Sequence, residues 1–153
     1  MRSIRSRAPA ASSPAIRRVM QTNVPRDTTP EVVLRSALHH VGLRYRKDVS
    51  PESSLKCKAD IVFRRERICI FVDGCFWHGC PRHFQTPGTN SSWWEEKIND
   101  NRRRDRVKRR RLREHGWAVM RVWEHEITTS NLHHVVGRIV SIVRQRRKAT
   151  HKK

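Results

Sequence analysis

The chain is short of acid. Its 153 residues hold 14 Asp and Glu against 34 Lys and Arg, which leaves a formal charge of +20 at pH 7. Such a surplus argues for a polyanionic partner, nucleic acid ahead of an anionic membrane surface, although it does not separate an enzyme from a basic packaging protein. Long apolar runs are missing too. None approaches the roughly 18 residues of a membrane span, so no membrane role is expected. An apolar block does not follow the Arg-rich start, which sets a secretory signal aside. Without an export context, Cys57, Cys69, Cys75 and Cys80 are expected as reduced thiols of a cytoplasmic protein, where metal binding is favoured over disulfides. There is no internal repeat.

What remains is a length suited to one domain with a real core. Residues 1–17 read as a basic flexible arm, 18–145 as the folded domain and 146–153 as a basic tail without structure. A helix is predicted from Thr28 or Thr29 to Gly42. Thr28 and Glu31 resemble a capping box, Pro30 suits the first turn, and Val33, Leu34, Ala37, Leu38 and Val41 form its apolar face. Ala59–Phe63 and Arg67–Val72 read as strands joined by the charged turn Arg64-Arg65-Glu66, and the second is apolar enough to be central. Trp93 to about His115 reads as a helix stopped by Gly116, with a middle so charged that it faces water or a phosphate backbone. Trp117–Trp123 alternates as a strand. Ser130 could cap a last helix that buries Leu132, Val135, Val136, Ile139, Val140 and Val143. The order helix, strand, strand, helix, strand, helix implies an α/β domain with a central mixed sheet flanked by helices.

Chemistry gathers in Asp73-Gly74-Cys75-Phe76-Trp77-His78-Gly79-Cys80-Pro81-Arg82-His83, at the mouth of the apolar strand. Asp60 opens one strand and Asp73 closes the next, so an antiparallel hairpin would set two carboxylates at one sheet edge, as Mg²⁺ requires. Asp at a strand end is equally an ordinary turn residue. His78 follows after a tight turn and suits a general base toward water, or alternatively a metal ligand. Cys75, Cys80 and His83 have the spacing of a tetrahedral zinc site, with His125 beyond the Trp117–Trp123 strand as fourth ligand. Four ligands would make that zinc structural. Cys69, inside a buried strand, reads as a small apolar group.

On these residues the chain resembles the very-short-patch-repair (Vsr) mismatch endonucleases, a branch of the restriction-endonuclease-like superfamily. The matching segments are Arg26-Asp27-Thr28-Thr29-Pro30-Glu31, Gly42 to Arg46, Ala59-Asp60-Ile61-Val62-Phe63, Phe71 to Pro81, Trp94 through Lys97 to Asn101, Arg104-Asp105-Arg106 and Gly116-Trp117 through Glu124. The resemblance implies a monomeric, Mg²⁺-dependent enzyme of the bacterial cytoplasm and nucleoid. It would nick one strand of duplex DNA 5′ to the T of a T:G mismatch left by deamination of 5-methylcytosine, with mismatch-repair proteins as further partners. It makes Asp60 the main Mg²⁺ ligand, the Val72 carbonyl a second and His78 the catalytic histidine. Glu31 and Asp105 would position the histidine or waters, and Asp73 becomes an auxiliary candidate. Zinc falls to Cys75, Cys80, His83 and His125. Phe76, Trp77 and Trp94 match aromatic wedges beside the mismatch, and Met20 a residue that intrudes from the minor groove. The stretch from Arg102 to Arg113, with Arg102, Arg103 and Arg104 foremost, is expected along phosphates.

The chain departs from the family in having Ala59-Asp60 where Pro-Asp is usual, and in its upstream Ser54 to Lys58, which implies an altered loop with the carboxylate kept. A non-catalytic, zinc-stabilised module for distorted duplex DNA is the alternative. It has no need to keep Asp60, His78 and Glu31 together.

Overall fold

A computed structural model describes residue 10, residues 13–21 and residues 26–150. Helix α1 (Pro14–Gln21) begins inside the stretch expected to be an unstructured arm. Then follow α2 (Thr29–His40), β1 (Arg46–Val49), β2 (Ala59–Phe63), β3 (Ile68–Asp73), α3 (Ser91–Glu114), β4 (Ala118–Trp123) and α4 (Leu132–Thr150). The strands form one sheet in the order β1-β2-β3-β4, antiparallel except for the β3–β4 pair. The expected mixed sheet is present, with one strand more than the sequence announced.

Alternation along the central strands sorts the two faces. Ile61, Phe63, Ile68, Ile70 and Val122 turn toward α2 and α4, where they meet Leu34, Leu38, Val135, Ile139 and Val143. Val62, Cys69 and Trp117 turn the other way and meet Leu112 of α3. By the same parity Asp60, Phe71, Asp73 and Arg121 belong to the α3 side of the sheet. Cys69 is buried there as expected, and its thiol is pushed up to about 12 by burial.

Three helical expectations need correction. In α2 the buried stripe is Glu31, Leu34, Arg35 and Leu38, spaced at one helical face, while Val33 and Val41 are exposed. The stripe is rotated because Glu31 serves a polar cavity and Arg35 reaches Asp27 at 2.5 Å. Thr28 is the N-cap, but its hydroxyl donates to Glu31 Oε1 (2.9 Å) and does not close a capping box. Ser130 lies in the turn before α4, and that helix runs on to Thr150, through most of the expected tail. Gly42 and Gly116 do end α2 and α3, both with positive φ. Arg67, also at positive φ, belongs to the turn before β3.

Candidate active site

The site is built where β3 and β4 leave the sheet together. Their parallel register pairs Asp73 with Trp123, so the residues just beyond both strands become neighbours. The Cys75 N–H donates to Glu124 Oε1 at 2.7 Å. A compact turn follows, closed by Cys80 N–H to the Cys75 carbonyl at 2.8 Å. Gly79 holds φ +62° in that turn, where an added Cβ would run into Ile98 and Arg102 of α3.

Beside the turn, Cys75, Cys80, His83 and His125 bring their donor atoms within 4.8 Å of one another. Cys75 Sγ lies 3.2 Å from His125 Nδ1, Cys80 Sγ 3.6 Å from the same nitrogen and 3.7 Å from His83 Nδ1. A tetrahedral ion with metal–sulfur bonds of about 2.3 Å and metal–nitrogen bonds of about 2.0 Å would separate its ligands by roughly 3.3–3.8 Å. The cluster therefore fits a metal ion. Burial, then the adjacent Cys80, push the Cys75 thiol up to about 12 against a hydrogen bond from the His125 backbone. Burial and the neighbouring His83 hold His125 below the usual imidazole range, in the neutral form a ligand needs.

On the other side of the same turn a cavity of about 540 Å³ is lined by Glu31, Asp60, Val72, Asp73, Phe76, Trp77, His78 and Asp105, among others. His78 Nδ1 lies 2.6 Å from Asp105 Oδ2 and 3.6 Å from Asp73 Oδ1. Burial presses the imidazole down, yet the Asp105 hydrogen bond and the Asp73 charge outweigh it, and the net shift is upward. A proton on Nδ1 satisfies the short bond to Asp105 and leaves Nε2 with a free lone pair. Asp60 accepts the Val72 N–H at 2.7 Å through Oδ2. Burial raises its carboxyl to about 7, with Glu31 and Asp73 adding to the rise and the Val72 hydrogen bond opposing it. Among the described residues no ion pair offsets that charge. A half-buried carboxylate with a second carboxylate nearby and one uncommitted oxygen fits a divalent cation.

The remaining residues named from sequence divide. Asp73 is committed within the protein, to Arg121 Nε as well as toward His78. Asp73, His78 and Asp105 bring their donor atoms within 4.8 Å of one another, so Asp73 stays an auxiliary candidate that would have to share its carboxylate with Arg121. Trp94 is 1% exposed beneath Phe76 and Trp77, with ring centroids 5.2 and 6.0 Å away, so as placed it backs the loop that carries them. Phe76 and Trp77 are half-buried at the cavity edge. Arg102 turns inward, donating to the Gly79 carbonyl at 2.8 and 3.2 Å, while Arg103 and Arg104 are exposed. Met20 falls on α1, but its side chain lies outside the described residues.

Sequence reasoning missed Asn101, Arg121 and Glu124, and it read Lys108 and Arg109 only as part of a phosphate-facing stretch, not as cavity residues. Asn101 Nδ2 donates to the Trp77 carbonyl at 2.8 Å, and the other four line the cavity or bind its walls. The signal was the inward stripe of α3, which is apolar at Trp94, Ile98 and Leu112 and polar at Asn101, Asp105 and Arg109 in steps of four. The surrounding basic residues hid it.

Comparison with known proteins bears on this geometry. Residues 12–83 match the family model described as DNA mismatch endonuclease Vsr. The chain is 46% identical over 120 residues to the Type II nicking enzyme V.NaeI of Lentzea aerocolonigenes, covering 77% of this chain and 72% of that protein. It is 40% identical over 119 residues to the Type II nicking enzyme V.XorIIP of Xanthomonas oryzae pv. oryzae, covering 76% and 85%. With the DNA mismatch endonuclease Vsr of Escherichia coli K12 the identity is 41% over 106 residues, covering 69% and 66%.

Proposed function

Since this chain belongs to the Vsr family of DNA endonucleases, we propose that it nicks one strand of duplex DNA on the 5′ side of the T in a T:G mismatch. The observation that carries the proposal is the cavity itself, where the His78–Asp105 pair, Asp60 and Glu31 meet two half-buried aromatic rings at one loop. A pure DNA binder has no use for a histidine oriented by a carboxylate beside a half-buried aspartate that has no ion pair among the described residues.

In this reading His78 accepts the proton of the attacking water through Nε2, and Asp105 steadies the imidazolium that results. Asp60 and the Val72 carbonyl would hold Mg²⁺, which supplies polarisation of the phosphate and offsets charge on the leaving oxygen. Glu31, buried and held by the Thr28 hydroxyl, faces the same cavity and would orient water there. Cys75, Cys80, His83 and His125 would hold a structural Zn²⁺, the ion their thiolate and imidazole donors favour. Phe76 and Trp77, carried on the loop so pinned, would lean into the stack at the mismatch. A T:G wobble stacks poorly, so the few kcal/mol that unstacking costs is smallest there.

The test uses a strand-labelled T:G duplex and its matched T:A control, each with Mg²⁺ or EDTA, for wild type and Asp60→Ala. The expected result is a Mg²⁺-dependent nick 5′ to the mispaired T, absent from the control and from the variant. Tight binding with no nick on any flanking sequence would make the chain a binding module.

A further inference from the structure

The cavity holds a cation for which the reaction just described has no role. Arg109 lies one helical turn past Asp105 and two past Asn101, on the stripe of α3 that faces the sheet. It is half-buried. Its neighbours are already committed. Asp105 is bound to His78, Asp73 to Arg121, and Lys58 stands 3.7 Å from Asp48 on the cavity's far side. Among the described residues Arg109 makes no hydrogen bond or ion pair; the charges of Asp73 and Asp105, both engaged elsewhere, favour it, while those of Arg121 and Arg113 oppose it. Burial, followed by Arg121, lowers its pKa. A guanidinium taken part-way out of water, with no ion pair of its own and a second arginine nearby, is incompletely compensated, and an anion is what relieves it.

Which anion follows from the cavity walls. The opposite wall carries Asp60 and Glu31, so a free carboxylate ligand would be repelled unless a divalent cation stood between. A phosphodiester bridging that cation and Arg109 would satisfy both sides. The planar fork of arginine suits two oxygens of one phosphate, which an ammonium does not match. Strand β3 ends in Asp73-Gly74-Cys75 and brings no lysine of its own to the cavity.

We propose that Arg109 grips the non-bridging oxygens of the phosphodiester that is cut, from the α3 side of the cavity. This rests on the nicking assignment above and adds to it the group that positions the scissile link. Arg121 then has a supporting part, since by binding Asp73 it keeps that carboxylate from capturing Arg109.

The experiment is a binding cycle read apart from catalysis. T:G duplexes are made with either the natural link or a single uncharged methylphosphonate at the link that wild type cuts. Affinities are measured without divalent cations for wild type, Arg109→Ala and Arg109→Lys. A charge-assisted pair to phosphate predicts that wild type binds the neutral link roughly 10-fold more weakly. Arg109→Ala should bind both duplexes equally, and Arg109→Lys should fall between. With Mg²⁺, Arg109→Ala should nick the natural duplex about 10²-fold more slowly at saturating DNA, the usual cost of one lost donor to a reacting oxyanion.

If wild type nicks the T:G duplex but the neutral link weakens Arg109→Ala as much as wild type, the proposal is wrong and the nicking assignment stands. If wild type nicks no T:G duplex, the nicking assignment fails and takes the proposal with it, an outcome told apart by the silent wild type. Should Arg109→Ala not fold, by far-ultraviolet circular dichroism, the lysine variant decides the question, and a loss equal to wild type's would refute the grip.

Discussion

His78 stands between two carboxylates, and only one is close enough to set its tautomer. Because its folded pKa is raised, the neutral base is lost at a higher pH than for a free imidazole. Nicking should therefore rise with pH through a limb placed above the ordinary histidine range. Asp105→Asn removes the largest influence holding the proton on. The limb should then move to lower pH, and the plateau should drop by roughly 10- to 100-fold as the ring loses its orienting partner. Single-turnover rates across pH measure both, and a limb that stays in place would detach Asp105 from the base. At this scale Asp60 and His78 were legible because strand ends and a Gly-allowed turn mark them in sequence. Asp105 was not, except through the family resemblance, since a carboxylate within a basic run looks like a surface counter-ion. The packing of Trp94 was not legible either, since sequence does not tell which of several neighbouring rings lies beneath the others.

At the scale of elements, the loop from Gly74 to His83 is fixed at two points, by the Cys/His cluster and by α3. Gly79 is the closest approach to α3. A Cβ there would collide with Arg102 Nε and stand 2.6 Å from Ile98 Cγ2, on a backbone at φ +62°. Gly79→Ala should cost about 1–3 kcal/mol of stability in thermal or urea unfolding, and should slow nicking because the loop carries His78. Unchanged stability would mean that the loop is only loosely seated. Stripping metal from the Cys/His cluster with a strong chelator should lower the thermal midpoint and reduce T:G discrimination, and restoring Zn²⁺ should recover both. A chelated protein that keeps its midpoint and discrimination would leave the cluster without that part. The strands β2, β3 and β4 were readable from alternation and apolar runs. β1 was not, because Arg46–Val49 is short, mostly polar and at the sheet edge, where one side needs no hydrophobic signature. The orientation of α2 was hidden as well. Periodicity shows that a helix has an apolar face, but not that Glu31 and Arg35 will be drawn inward in place of Val33 and Val41.

For the whole molecule, charge decides how it meets its partner. The exposed face of α3 carries Arg103, Arg104, Arg106, Arg110, Arg111 and Arg113. If these bind phosphates, affinity must fall steeply with salt, and six contacts would give a log–log slope of about −5. Preference for mismatched over matched duplex should change far less, because both complexes release the same counter-ions. Titrations of both duplexes at several salt concentrations test this, and a flat response would remove α3 from the DNA interface. The α/β class and mixed sheet were legible from element order. The extension of α4 through Thr150 was not, since a basic terminal run looks the same whether it is helical or unstructured.

The length of α3 sets a scale for what the protein can cover. Its 24 residues make a rod of about 36 Å at 1.5 Å per residue. One turn of B-form duplex advances by roughly the same distance. A double helix laid against this rod would show it each groove once before curving out of reach. The protected tract in a footprint should thus be close to ten base pairs, with the incision inside it and not at its border.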